Sequence, residues 1–288
     1  MQRRVYKQGI ELSIIGFGGM VLVGMGQKRA EATVARSIDR GINYFDVAPF
    51  YGAGEAETKL GAALGSRRKD VFLACKTLER TAAGAQRELE HSLRALRTDH
   101  LDLYQFHAVT EKSEVQAIFD RAGAAETFLE ARRKGTVRFI GFSAHSVEAA
   151  LALLGRFEFD SILFPVNFVC YAKGNFGPQV LRKAGELRVA RLALKALAHR
   201  PWRKGEERTY PNCWYRPIED PDLARQALRF SLSQGVTAAI PPGDERLFNM
   251  VLDMADDLPP MTAEEQARLL ATAARLRPLM RVRDDASK

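Results

Sequence analysis

The chain reads as an α/β protein built as a closed (β/α)8 TIM barrel, with an N-terminal β-hairpin and an added C-terminal helix. Three observations point there. Eight short apolar runs each lead into a segment whose apolar residues recur at helical spacing. The runs are continuous rather than alternating, as parallel strands covered on both faces require. Gly and Pro punctuate the units without a shift in composition, which favours one domain over residues 1–288 and a closed barrel rather than a doubly wound sheet.

Each element follows in order. RRVYKQGIELS carries two extended runs separated by Gln8-Gly9, a hairpin signal, and leads into a first strand over Ile14–Gly18. Arg29–Arg40 spaces Ala32, Ala35 and Ile38 as a helix and stops at Gly41. The strand NYFDV is followed by a helix over Ala56–Leu64 that ends at Gly65, and DVFLACK by a helix over Ala85–Leu96. LDLYQFH precedes a helix over Asp120–Lys134, VRFIGF a helix over Ser146–Leu154, and DSILFPV a helix over Pro178–Leu187. VARLALK leads to a helix over Pro221–Ser233 and TAAIPP to one over Glu245–Met254. The added helix spans Thr262–Leu279, opened by a capping box of Thr262 and Glu265.

Two connections are long. Ala108–Phe119 reads as a loop, as does Ala196–Glu219, whose Trp202, Tyr210, Trp214 and Tyr215 are too aromatic for a mere linker. These rings have two readings, a cover for ligand or a small core that holds the loop folded.

Composition narrows the function classes. No run reaches the ~18 apolar residues of a membrane span, and MQRRVYKQGIELS lacks a signal-like apolar core, so a cytoplasmic protein is expected. Cys75, Cys170 and Cys213 are widely separated, which suits reduced thiols rather than a disulfide framework or a metal site. The net charge of +8 comes from Lys and Arg interspersed with acids, as in RRKD and EERT, a solvated surface rather than a nucleic-acid footprint. Expected partners are therefore a small molecule, with no nucleic acid and no membrane; composition sets no oligomeric state.

The chemistry gathers at strand ends. Asp46 stands next to last in NYFDV with Tyr51 five residues beyond, Lys76 ends the next run, and His107 ends the one after. Strand ends of a barrel open on one face, so the four converge. A lysine ~4 Å from a phenol at an effective dielectric of ~20 contributes ~4 kcal/mol towards phenolate, which is expected to bring Tyr51 towards working pH. Asp46 keeps Lys76 cationic. His107 is suited to orient a carbonyl oxygen towards the Tyr51 hydroxyl. The set can protonate a carbonyl but carries no hydride, so a nicotinamide cofactor is implied. Each residue taken alone also has a structural reading: strand-end cap, its ion-pair partner, loop aromatic, interior histidine.

With these marks the chain resembles the aldo-keto reductase family from end to end. The matching segments are GFGGM, GINYFDVAPFYGAGEAETKLGAAL, Lys76, DHLDLYQFH, KGTVRFIGFSAHS and ALRFSLSQGVTAAIPPG. The resemblance implies reduction of an aldehyde or ketone, with Tyr51 as general acid, Lys76 and Asp46 as its tuning pair and His107 orienting substrate. It implies NADPH lying across the barrel mouth, with NADH not excluded. Cofactor contacts carried over are Gly19, Met20, Asp46, Ser143, Asn167, Leu194, Lys195, Ala196, Leu197, Arg203, Gly243, Arg246 and Asn249. The chain leaves the family pattern at Ala144, Leu163, Leu194, Lys195 and Pro242. A regulatory protein that binds nucleotide with little turnover is the alternative reading of the same site.

Overall fold

The computed structural model describes residues 1–282; the last positions of the expected 1–288 unit, residues 283–288, lie outside the described residues. A hairpin of β1 (Arg3–Lys7) and β2 (Ile10–Ser13) precedes the barrel. Then follow β3 (Phe17–Gly18), α1 (Gln27–Asp39), β4 (Tyr44–Asp46), α2 (Glu55–Leu64), β5 (Phe72–Thr77), α3 (Ala82–Ala95), β6 (Leu101–Val109), α4 (Lys112–Phe119) and α5 (Ala124–Arg133). The chain continues through β7 (Val137–Ala144), α6 (Val147–Arg156), β8 (Ser161–Pro165), α7 (Phe168–Gly174), α8 (Pro178–Glu186), β9 (Ala190–Leu194), β10 (Ala198–Arg200), β11 (Arg216–Pro217), α9 (Pro221–Ser233), β12 (Ala238–Ile240), α10 (Glu245–Met254) and α11 (Ala263–Thr272).

Eight strands, β3 to β9 and β12, form one parallel sheet. It closes on itself where the Gly16 amide donates to Ala239 O at 2.9 Å and the Ala239 amide to Ile14 O at 2.8 Å. The first strand is shorter than expected as a ladder because only Phe17 and Gly18 pair with β4, while Ile14–Gly16 close the barrel against β12.

Side chains alternate across each strand, and one phase fills the interior. Tyr44, Phe72, Ala74, Leu103, Phe139, Leu163, Leu192 and Ala238 form its apolar layers, joined from below by Tyr6 and Leu12 of the hairpin. The Tyr6 ring meets Phe72 and Phe139 edge-on at 5.0 and 5.4 Å, and its hydroxyl bonds Ser161 Oγ at 2.9 Å. The same phase two to four residues onward puts Asp46, Lys76, Gln105, Ser143 and Leu194 at the upper end. The other phase, with the helices, makes the surrounding core.

Four expectations are corrected. The connection Ala108–Phe119 contains α4, opened by Glu114 accepting from the amides of Thr110 and Glu111 at 2.8 and 3.1 Å. The expected helix Asp120–Lys134 therefore starts late, at Ala124. Gly123 presses against the carbonyls that end α4, where a Cβ would lie 2.4 Å from Ile118 O. The short helix α7 hides in an apolar stretch continuous with β8; Asn167 caps it by accepting from the amides of Val169 and Cys170 at 3.0 and 3.1 Å. The C-terminal helix stops at Thr272 and passes into a 3-10 turn over Ala273–Arg275, after which the chain runs on to pack along α7, with the Val282 amide donating to Gly174 O at 2.8 Å.

The 196–219 connection carries the β10–β11 ribbon and is fastened at several points. Glu206 accepts both guanidinium groups of Arg200 and Arg216. Tyr210 and Cys213 pack with Leu247 of α10, and Trp202 packs against them while donating to Cys213 O at 2.9 Å. For these rings the loop-core reading holds.

Candidate active site

Lys76 is the centre of the upper layer. Its side chain is fully buried, and its ammonium donates to Asp46 Oδ1, to Val47 O at 3.0 Å and to the Tyr51 hydroxyl at 3.2 Å. Register explains the meeting: Asp46 pairs with Ala74, two residues before Lys76 on the same face of β5, and Tyr51 returns over them on the loop after β4. Burial alone would lower the Lys76 pKa, but Asp46 and then Tyr51 outweigh it and hold the ammonium above its ordinary value. An unpaired lysine at such a depth would hold its proton less tightly.

Asp46 is fixed on its other oxygen, which accepts from Gln105 Nε2 at 3.0 Å and from the Tyr44 hydroxyl at 3.3 Å. Both partners escaped the sequence reading. Their signal was the two-residue phase: Gln105 precedes His107 by two and Tyr44 precedes Asp46 by two.

The Tyr51 phenol departs from expectation. Burial raises its pKa, Lys76 works against that, and burial wins, so the group sits above its ordinary value. Pairwise attraction leaves out the desolvation of a phenolate, which here is the larger effect. At neutral pH the hydroxyl is therefore protonated, with Lys76 limiting the rise.

His107 faces Tyr51 edge-on, ring centroids 5.8 Å apart. Burial, followed by the positive field of Lys76 and by those of Arg80 and Lys195, pushes its pKa well below the usual imidazole range. It is neutral. Its Nδ1 is enclosed and has no partner among the described residues, and Arg80 anchors the backbone there by donating to His107 O at 2.7 Å.

Around the four lie the other candidates. Ser143 Oγ accepts from the Ala108 amide at 2.7 Å, leaving its own proton to give. Asn167 has no such capacity: beyond its two cap bonds, its amide donates to Lys195 O at 3.2 Å and Ala198 O at 2.6 Å. Gly19 and Gly243 stand at close approaches on the rim. A Cβ on Gly19 would lie 2.7 Å from Val47 Cγ2, and one on Gly243 2.4 Å from Met20 Cβ. Leu194 adjoins the interior layers, and Ala196 and Leu197 are buried behind it. Lys195 is buried beside His145, Nζ to Nε2 3.1 Å, under the Trp214 ring. Asn212 straps the long loop to the rim by donating to Met20 O and Val23 O at 3.3 and 3.2 Å.

Farther out, Arg203 is exposed, with its backbone amide held by Glu206 at 2.8 Å. Arg246 is bound through its Nε and Nη2 to Asp244, both at 3.0 Å, and lies over the Tyr210 ring at 4.4 Å. Asn249 accepts from Arg36 of α1. These three are not drawn together with the inner four. A surface groove of about 640 Å³ lined by Arg68, Arg94, Arg97 and His100 lies beside the turn leading into β6, at the opposite end of the strands, and holds none of the candidates.

The four-residue arrangement lies within a segment, residues 14–176, that matches the Aldo/keto reductase family. The chain belongs to the aldo/keto reductase family. Among similar proteins, aldo-keto reductase YhdN of Bacillus subtilis is 35% identical over 157 residues, covering 49% of this chain and 46% of that protein. L-galactose dehydrogenase of Arabidopsis thaliana is 28% identical over 167 residues, 54% and 51% of the two chains. The chain spans about half the length of the curated relatives it matches. Over the whole fold, an aldo-keto reductase from Bacillus halodurans in its holo form superposes with a TM-score of 0.75 at 22% identity, covering 100% of both chains. One from Klebsiella pneumoniae in complex with NADPH gives 0.71 at 22%, covering 99% and 100%.

The half of this aldo/keto reductase that matches the family carries all four inner residues, and the second half carries the long loop, Lys195 and Arg246. Among the described residues no cluster of His, Cys, Asp or Glu is arranged to hold a metal, and no helix is long and apolar enough to cross a membrane.

Proposed function

We propose that the protein is an NADP(H)-dependent oxidoreductase that reduces an aldehyde or ketone to the alcohol, with Tyr51 as proton donor. The observation that carries this reading is the Lys76 ammonium, held by Asp46 and directed at the Tyr51 hydroxyl at 3.2 Å. A phenol kept protonated by burial has a proton to give, and the adjacent ammonium stabilises the phenolate left behind.

The neutral His107 carries one ring proton. With Nδ1 enclosed and bare, that proton belongs on Nε2, where it can donate to a carbonyl oxygen and align it with Tyr51. The donor set supplies acid and orientation but no reductant. A bound nicotinamide would deliver hydride to the carbonyl carbon, and the carbonyl oxygen would take the Tyr51 proton, giving alcohol and oxidised cofactor. Ser143, with its free hydroxyl proton beside the reacting end, suits the carboxamide; Gly19, Met20 and Gly243 shape the adjoining rim. Asn167 acts through the strand-end loop it braces. At the far end Arg246 would reach a 2′-phosphate only by sharing its guanidinium with Asp244, so NADPH is the expected donor and NADH the comparison.

The test is transfer of label. Incubation with deuterated NADPH and a panel of aldehydes, ketones and quinones is expected to give alcohols bearing deuterium at the former carbonyl carbon. Tight cofactor binding with no oxidation across the panel would instead favour a nucleotide-binding regulator.

A further inference from the structure

Lys195 is a second buried lysine at the barrel mouth, and it lacks what Lys76 has. Among the described residues no carboxylate pairs with it: its ammonium meets His145 Nε2 at 3.1 Å and the face of Trp214 at 5.4 Å. A buried cation without a counterion is costly to keep. Holding the loop does not account for it, because Trp214 is itself 52% exposed and the loop is already fastened by Asn212, Trp202 and Glu206.

His145 is shaped to cooperate. Burial and then the field of Lys195 lower its pKa to about 3, so the ring is neutral. Since Nε2 accepts from Lys195, the ring proton resides on Nδ1. The Lys195 ammonium thus keeps N–H donors that no carboxylate of the described residues accepts, while the Nδ1–H of the ring points away from it. The pair lies beside the reacting end: the His145 amide donates to Val109 O at 3.1 Å, two residues beyond His107, and the charge of Lys195 acts on His107.

We propose that Lys195, oriented by His145, is a docking point for an anionic oxygen group, and that this group is a carboxylate carried by the carbonyl substrate. The preferred substrates are then aldehyde or keto acids, a class that rests on the carbonyl-reducing reading above. Cofactor pyrophosphate offers the same chemistry, but the His145 amide donates to Val109 O, two residues beyond His107, which sets the pair beside the reacting end and favours the substrate.

Two measurements test this. Trp202→Phe leaves Trp214, directly over Lys195, as the one tryptophan of the chain. Titrated at about pH 6, where the Lys195 ammonium is charged since burial lowers its pKa only to about 7, butyrate is expected to change Trp214 emission saturably and butyramide is not. Lys195→Met should abolish the butyrate response and Lys195→Arg retain it; Met keeps the buried stem and removes an uncompensated charge, and circular dichroism checks the fold. In the second arm, the ratio of kcat/KM for succinate semialdehyde to that for butanal should fall about 10- to 100-fold in Lys195→Met, the size of a charged hydrogen bond.

A butyrate response that survives Lys195→Met, an equal response to butyramide, or an unchanged substrate ratio overturns the proposal. So does loss of NADPH affinity with the ratio intact, which would assign the anion to the cofactor. Failure of the wild-type protein to reduce either aldehyde, with a Lys195-dependent butyrate response, would reject the carbonyl-reducing reading and leave the docking point standing.

Discussion

The two ends of the barrel are built from the same strands and the same side-chain phase, yet they hold opposite chemistry. At the lower end Tyr6, Leu12, Phe72 and Phe139 close an apolar plug in which one hydroxyl pair, Tyr6 to Ser161, satisfies itself. Two to four residues further along the strands the same inward phase carries Asp46, Lys76, Gln105 and His107. The lower end gains stability from burial of aromatic area and edge-on rings. The upper end spends desolvation on an ion pair that a packed apolar layer would replace without loss, which is reasonable where the charge is used.

Substitutions at the two ends sharpen that contrast. The largest effect is expected for Lys76→Met. Turnover should fall about 10²- to 10⁴-fold, and stability by about 3–5 kcal/mol as Asp46 is left buried without its cation. Adding Asp46→Asn should return most of the stability and none of the activity. Urea unfolding beside steady-state rates checks both; a double variant that regains turnover would break the contrast.

Tyr6→Ala is expected to cost about 3–5 kcal/mol, as other large aromatic truncations do, with the rate per folded molecule retained. A lost rate in protein shown to be folded would mean that the lower end shapes the mouth.

Acid should act through the mouth. His107 and His145 are held neutral by burial, so below pH ~6.5 the unfolded chain takes up protons that the folded one refuses. Their folded pKa values are depressed, and stability is therefore present above pH ~6.5 and lost as pH falls, by at most ~1.4 kcal/mol per pH unit for each histidine. Unfolding midpoints between neutral and acid pH should show a shallower slope in His145→Gln; an unchanged slope would deny its burial as a neutral base.

The smallest effect is expected for Asn212→Ala, about 1 kcal/mol for the strap between the long loop and the rim. Limited proteolysis within 203–209 should quicken while the global midpoint barely moves.

Much of this was legible in the residues themselves. Eight apolar runs with helical sequels announced the barrel, and four strand-end polar groups announced the mouth. What escaped depended on partners distant in sequence. Gln105 and Tyr44 look like filler until the two-residue phase is set beside Asp46. The shift of Tyr51 could not be signed from pairwise attraction, since desolvation depends on the whole enclosure. The helix α7 was hidden by an apolar run shared with β8, whose end only the Asn167 cap marks.

One matched pair tests the division of labour most directly: removal of a single hydroxyl at each end, Tyr51→Phe and Tyr6→Phe, with turnover and unfolding free energy measured for both. Tyr51→Phe should retain NADPH binding and lose turnover about 10²- to 10⁴-fold with little change in stability. Tyr6→Phe should keep turnover and lose about 1–3 kcal/mol, because Ser161 Oγ is left buried without its partner. Turnover within tenfold of wild type in Tyr51→Phe, or a rate loss in Tyr6→Phe equal to that in Tyr51→Phe, would contradict the account.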